Sequence, residues 1–430
     1  MKTEFCNYFF GIICSWIVTF SLLSGCGTNP VTGESELQLV SENQEIQMGE
    51  QEYGYLQQAE GGPFVTDPDI QQYVQNVGAK IAAMSDRPHL PYEFVVLNNS
   101  IPNAWALPGG KIAVNRGLLL ELDSEAELAA VLAHEIVHSA ARHGAQMMEK
   151  GILMGAGIAG LEGLMHDHKY EDVVVGTAAV GAGLIALKYS RQAELEADYY
   201  GIKYMSAAGY DPQAAVQLQE LFLSLEKDRN SGWRGGLFAT HPPSEERLEA
   251  NRVTAASYPS GFVGRREYRD AMKTLAKTHL AYGNLDEGYL ALKKGHIGKA
   301  LRFAEDGILI APKEAHLYNL KGKALLMKHD PQGALAAFNK AIELNDDYFD
   351  FYLQRGLLKQ AVGDEYAARV DLLKSQELLP SAQAEYALGV LALQNNQRQE
   401  AILHFRRAAK NPSTIGRAAR EQLSRMSIHP

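Results

Sequence analysis

"VLAHEIVHSAARH", Val131 to His143, carries two histidines four residues apart with a glutamate directly after the first. On a helix, His134 and His138 leave the same face one turn apart and can share a metal ion. Glu135 lies beside them, where it can take a proton from a water held by that ion. Ser124 and Glu127 form a capping-box pattern that starts the helix. Such a five-residue motif also arises by chance in surface helices, so a third ligand has to be found. "YSRQAELEADYYG" offers one, because Glu194 and Asp198 are again four residues apart. Glu194 would complete a His₂Glu site for one Zn²⁺ per chain, with the fourth position open. Asp198 would accept the spare N–H of a ligating imidazole. The alternative is an ordinary solvated acidic face, which would leave both histidines without a partner.

The composition permits this chemistry and excludes little else. At 430 residues the chain suits two or three domains, and 46% hydrophobic with 21% charged residues is ordinary for a globular protein. The net charge of −10 argues against a nucleic-acid partner, since phosphate binding needs clustered Lys and Arg. All three cysteines, Cys6, Cys14 and Cys26, fall in the first 26 residues. There, "MKTEFCNYFFGIICSWIVTFSLLSGCG" has a weak basic start, an apolar run and small residues before Cys26, the order of a signal segment. An uncleaved membrane anchor is the alternative. The ending "LSGC" resembles a bacterial lipobox, which implies a signal peptide over residues 1–25, lipidation of Cys26 and outer-membrane sorting. Residues 26–40, rich in Gly, Pro, Ser and Thr, read as a tether.

Downstream, "NQEIQMGEQEYGYLQQ" and "TDPDIQQYVQNVGAKIAAM" read as helices, the second opened by Asp67 and Pro68. "YEFVVLNN" is a β-rich run, and "NAWALPGGKIAVNRGLL" reads as two strands joined by a turn at Pro108, Gly109 and Gly110. Gly151–Leu161 and Val173–Leu187 are apolar but too short to cross a membrane, and read as packed or interfacial helices over the site. From Ala281 onward a period of 34 residues, with one step of 33, places glycines at 288, 322, 356 and 389. Small residues follow at Ala300, Ala334, Ala368 and Ala401, and again at Gly307, Ala341, Ser375 and Ala408. Small residues at fixed offsets let antiparallel helices pack closely and stack, a pattern that resembles about four tetratricopeptide repeats over residues 281–430. The fold class expected is α+β: a mostly helical zincin-type metallopeptidase domain with a small sheet over residues 41–265, then an all-α repeat solenoid.

"HEIVH", followed by "SRQAELEAD" and "THPPSEER", resembles the zinc metallopeptidases that include HtpX and the CaaX prenyl proteases, over roughly Ser41 to Phe262. The resemblance implies Glu194 as the third ligand, with Asp198 and Arg191 supporting the ligands from behind. Arg247 also matches a family position and is assigned to structural support. The histidine of "HPP", His241, is implied beside the metal in one of two roles. It would donate to the oxyanion of the tetrahedral intermediate, or it would occupy the open metal position and hold the enzyme idle. The resemblance further implies an edge strand of Gly110, Lys111, Ile112, Ala113 and Val114, to which an unfolded substrate adds through main-chain hydrogen bonds. Asn103 and Trp105 read as packing residues, and His143, His166 and His168 as surface histidines. The lipid-type signal, the peptidase domain and the repeats together resemble the periplasmic BepA-type proteases. That similarity implies misassembled envelope proteins as substrates, the outer-membrane assembly machinery as a partner of the repeats, and a membrane contact through the lipid. A chaperone or adaptor with latent proteolysis is the competing function.

Overall fold

The computed structural model describes residues 26–153, 188–227 and 236–428. The signal-type segment, most of the apolar stretches after Gly151, His166 and His168 lie outside the described residues. Strands β1 (Cys26–Thr28) and β2 (Ser35–Leu37) form an antiparallel hairpin. Helices α1 (Glu42–Ala59) and α2 (Pro68–Ala82) lead to β3 (Glu93–Leu97), β4 (Ala104–Leu107) and β5 (Lys111–Asn115). The short α3 (Arg116–Leu119) precedes α4 (Glu125–Ala140), α5 (His143–Leu153), α6 (Arg191–Ala207), α7 (Gln213–Lys227), the single turn α8 (Leu237–Thr240) and α9 (Glu245–Ala255). After α10 (Arg265–Ala271) come four antiparallel helix pairs: α11 (Lys273–Lys293) with α12 (Ile297–Ile310), α13 (Ala315–Met327) with α14 (Pro331–Leu344), α15 (Phe349–Ala361) with α16 (Glu365–Leu378), and α17 (Ala382–Gln394) with α18 (Arg398–Ala409). A last helix, α19 (Thr414–Arg425), packs on the end of this tetratricopeptide-type solenoid. Among the described residues no helix is long and apolar enough to cross a membrane.

The sheet order is β3-β5-β4, with β5 parallel to β3 and antiparallel to β4. Residues 111–115 therefore form the central strand, which corrects the expectation that Gly110 to Val114 offer an edge. The turn at Pro108–Gly110 does join β4 to β5, with Gly109 and Gly110 at φ of 79° and 86°. A hairpin leaves its second strand free on the far side, and β3 pairs there. Both remaining edges belong to other strands, and only one is closed. Along β3, Gln71 donates to Phe94 O and accepts from Val96 N, Gln75 accepts from Phe94 N, and Phe64 N reaches Val96 O. Along β4, the Asn115 N to Asn103 O bond turns Asn103 inward. By alternation, the main-chain groups of Ala104 and Ala106 point away from β5; both residues are buried, and among the described residues nothing bonds to these groups.

The sheet is covered on both faces. Phe94, Val96, Ile112 and Val114 join the main core against α2 and α4, while Val95, Leu97, Trp105 and Leu107 pack on Tyr53 and Leu56 of α1. Trp105 meets Tyr53 edge to face at 6.0 Å, so it is a packing residue. The glycines of the repeat have a direct cause. A Cβ at Gly322, Gly356 or Gly389 would stand within 3.0 Å of Phe338, Leu372 or Phe405 on the second helix of the same pair.

Two boundaries differ from the expected ones. The stretch expected to be a tether is docked: Asn29 donates to Ala141 O at 2.9 Å, Arg142 donates to Glu36 at 2.7 Å, and Glu149 accepts from Leu39 N and Val40 N. The repeats are not hung on a linker either. Tyr268, Leu275, Tyr282 and Leu285 share one buried cluster with Val114 and Ile136, so the first repeat packs as part of the core of the N-terminal domain.

Glu314, 1% exposed, ties the two halves together. It accepts from Thr66, Asn98 and Tyr282 as well as from His316, and Arg116 stacks on the Tyr282 ring at 3.7 Å. Burial works to raise its carboxyl, but the His316 bonds and charge hold it at about 2. A depressed carboxyl contributes stability fully above its unfolded value of 4.5 and loses it as pH falls towards about 2. That difference corresponds to about 3 kcal/mol. In guanidinium unfolding, Glu314→Gln should therefore be less stable than wild type at pH 7, with the gap closing by pH 2. A gap unchanged between those pH values would contradict this role.

Candidate metal centre

Helix α4 is buried almost all round: Leu128, Ala129, Leu132, Ala133, Ile136 and Val137 are each 0% exposed. A surface helix with chance histidines is thereby ruled out. Ser124 accepts from Glu127 N at 3.2 Å, while Glu127 reaches past it to the N–H of Asp123. The return bond of the capping box is thus displaced by one residue. Helix α6 crosses α4 at Gly201, where a Cβ would stand 3.3 Å from His134 N. Glu194, Asp198 and Gly201 share one face of α6, so this close crossing delivers both carboxylates to the histidines.

His134, His138, Glu194 and His241 each offer a ligand atom within 4.8 Å of the others. The Nε2 atoms of His134 and His138 are 3.1 Å apart, and Glu194 lies 3.6 Å and 3.4 Å from them. His241 follows α8 and points Nδ1 into this group, 2.9 Å from Glu194 Oε1 and 3.3 Å from His134 Nε2. Three imidazoles and a carboxylate at these distances suit a divalent transition-metal ion. Of the two roles open to His241, its place among the ligand atoms matches the occupant of the fourth position.

The outer contacts fix which nitrogen faces the centre. His134 Nδ1 pairs with Asp198 at 2.9 Å, leaving Nε2 inward. Arg247, 5% exposed, donates to both oxygens of Asp198 at 2.7 and 2.8 Å and reaches Glu194 at 2.8 Å. Arg191 lies elsewhere: it is exposed and paired with Glu246, so its assignment behind the ligands is corrected to Arg247. His143 is also corrected. It is 2% exposed, with Nδ1 2.8 Å from Nδ1 of His138 and Nε2 3.3 Å from Glu196. Its signal is conformational rather than periodic. Arg142 ends the helical run in the left-handed region, at φ 62°, and turns His143 back over His138. Tyr189 stacks on a face of the His138 ring at 3.9 Å, with His143 at that ring's edge, a contact that sequence reasoning missed.

The carboxylates divide by environment. Burial raises Glu135 above the usual range, only partly offset by His241 and His134, and among the described residues its Oε2 has no hydrogen-bond partner. Burial acts on Glu194 as well, but His241 and Arg247 hold it well below. Asp198 is likewise lowered against burial, chiefly by Arg247. Glu135 is thus suited to carry a proton, and Glu194 and Asp198 to remain anionic.

Residues 68–255 match the model of peptidase family M48. The β-barrel assembly-enhancing protease of Escherichia coli (strain K12) is 30% identical over 319 residues, covering 71% of this chain and 64% of that protein. The mitochondrial metalloendopeptidase OMA1 of Arabidopsis thaliana is 36% identical over 166 residues, covering 39% of this chain and 32% of its own. The chain thus spans less than two thirds of the length of these relatives. Among solved structures, MamA covers 39% of this chain and 92% of its own at 23% identity and a TM-score of 0.29.

If His143 fixes the ligating tautomer of His138, His143→Ala should weaken metal binding roughly 10–100-fold. Arg191→Ala should leave it unchanged. Competition with a chromophoric chelator measures both, and equal effects would contradict the assignment.

Proposed function

We propose that the chain, whose residues 68–255 match the model of peptidase family M48, is a zinc-dependent endopeptidase of the bacterial cell envelope. Its substrates would be misfolded or stalled outer-membrane proteins, whose assembly it would also assist. The observation that carries the catalytic part is the convergence of His134, His138 and Glu194 beside a buried Glu135. Zinc is the metal that a His₂Glu set in a hydrolase fits best. The envelope setting rests on the lipobox-like ending at Cys26, and the substrate class on the β-barrel assembly-enhancing relatives. The lipid on Cys26 would hold the protein at the outer membrane, and the repeats would engage the assembly machinery there.

The metal, when bound, supplies Lewis acidity to a water and to the scissile carbonyl. Glu135 takes the proton of the attacking water and returns it to the leaving amide nitrogen, a transfer its raised affinity for protons favours. Asp198 and Arg247 keep the His134 ring and the Glu194 carboxylate in place meanwhile. An extended substrate would add to the edge of β4, at the main-chain groups of Ala104 and Ala106, which are buried in this state and have to be uncovered first. His241 belongs to the resting state and must leave before substrate enters.

The closed centre also favours a second reading, a chaperone or adaptor whose proteolysis is latent. Both readings meet one test. Glu135→Gln should lower casein hydrolysis roughly 10²–10⁴-fold while metal content is kept. Undiminished hydrolysis would overturn the catalytic assignment, and full rescue of an envelope defect by that variant would favour the chaperone.

A further inference from the structure

A groove of about 380 Å³ opens between the loop that follows α3 and the helices α10 and α11. None of its lining residues belongs to the metal centre. Its floor is apolar: Leu119, Leu122, Tyr268 and Met272 are each 5% exposed or less. The Tyr268 hydroxyl is spent on Leu119 O at 2.6 Å, which leaves only its ring to the groove. Leu120, on the rim, is 37% exposed.

The mouth of the groove carries charges of both signs. Arg265 and Arg269, one turn apart on α10, line it and are exposed. Asp123 lines it from the loop and is exposed as well. Among the described residues none of these three side chains forms an ion pair. Arg265 is near enough to Glu127 to act on its carboxyl, yet Glu127 is buried and accepts from Asp123 N at 2.6 Å instead. Unpaired charge is not the habit of this helix, since its Arg266 lies 3.7 Å from Asp270. Lys273 and Lys277 continue the row of cations at four-residue steps. Met272, Ala276 and Leu280 run beside them at the same spacing, the last 60% exposed. Like charges four residues apart work against a helix, so the row stabilises nothing within the fold.

We infer that the groove binds one phospholipid with an amine headgroup: Arg265 and Arg269 hold its phosphate, Asp123 holds its ammonium, and the leucine floor takes the start of an acyl chain. Two guanidiniums present the paired N–H donors that a phosphate accepts. The carboxylate at the same mouth suits a cation a few bonds from that phosphate. The floor gains from hydrocarbon and not from a free headgroup. An acidic peptide would use the arginines but would meet Asp123 as a like charge and leave the floor uncovered. Lys273 and Lys277 then reach neighbouring headgroups while Leu280 enters between them, so the α10–α11 face lies on a bilayer as an amphipathic surface does. The site goes beyond the function proposed above, because it needs neither proteolysis nor a lipid on Cys26. It gives the N-terminal domain and the first repeat a shared contact with a membrane.

Native mass spectrometry of the full-length protein, released from detergent micelles, counts the lipids that stay bound whatever Cys26 carries. Phosphatidylethanolamine, phosphatidylglycerol, glycerophosphoethanolamine without acyl chains and a glutamate-rich peptide are titrated separately. Wild type should retain one phosphatidylethanolamine per chain, held roughly 10-fold or more tighter than phosphatidylglycerol, and no chain-free headgroup. Replacing both arginines, Arg265→Ala with Arg269→Ala, should weaken that binding roughly 10-fold or more. Asp123→Asn should bring phosphatidylethanolamine down to the level of phosphatidylglycerol, and Leu120→Asp should weaken both lipids. Arg266→Ala, on the same helix, should change neither. The comparison of headgroups on wild type stands even if a variant fails to fold. A wild type that retains no lipid, equal affinity for the two lipids, retention unchanged by the double arginine substitution, or a peptide adduct in place of the lipid would overturn the inference. Casein hydrolysis is unaffected by any of these outcomes, so the peptidase reading stands or falls separately.

Discussion

The centre depends on one guanidinium. Glu194 and Asp198 are buried one turn apart on α6, where two carboxylates would repel each other and resist ionisation. Arg247 contacts both, and with the histidines it keeps them charged. Its bond to the carbonyl of Pro242, at 3.1 Å, joins it to the turn that carries His241. Ser244, the cap of α9, accepts from Arg247 N and sets where that arginine begins its reach. The segment "HPPSEER" thus supplies both the arginine that contacts the two carboxylates and an imidazole that lies among the candidate ligand atoms.

Around this centre, the fold assigns its strand edges to different tasks. The β3 edge is satisfied by glutamines of α2, which leaves β4 as the edge where further pairing can occur. On the α4 face of the sheet, the first repeat shares the main core, and Glu314 ties Thr66 and Asn98 to Tyr282 and His316. The solenoid is accordingly joined to the N-terminal half through buried contacts rather than through a linker. The N-terminal hairpin is docked in the same manner, onto Ala141, Arg142 and Glu149 at the end of the metal-binding helix.

What could be read in advance followed from periodicity. Four-residue spacing on helices pairs His134 with His138 and Glu194 with Asp198, and a period of 34 residues marks the solenoid through glycines that accommodate Phe338, Leu372 and Phe405. What could not be read was decided by contacts between distant segments. A hairpin sequence fixes that β4 and β5 are neighbours but not that β3 adds to β5, so the edge was placed one strand away. Arg191 and Arg247 are alike in the sequence, yet the first turn of α6 points Arg191 to solvent and α9 carries Arg247 inward. His143 follows no helical spacing from His138, because a left-handed Arg142 intervenes. The segment expected to be a tether has the composition of a loop, and its docking rests on partners more than 100 residues away.

The central claim is that His241 completes a His₂Glu centre in the resting protein. X-ray absorption at the metal edge of the zinc-loaded, full-length protein counts its nitrogen donors directly. The account predicts three imidazoles and one carboxylate in the wild type, from His134, His138, His241 and Glu194, and two imidazoles in His241→Ala. Two imidazoles in the resting wild type, or a donor set that the His241→Ala substitution leaves unchanged, would contradict it.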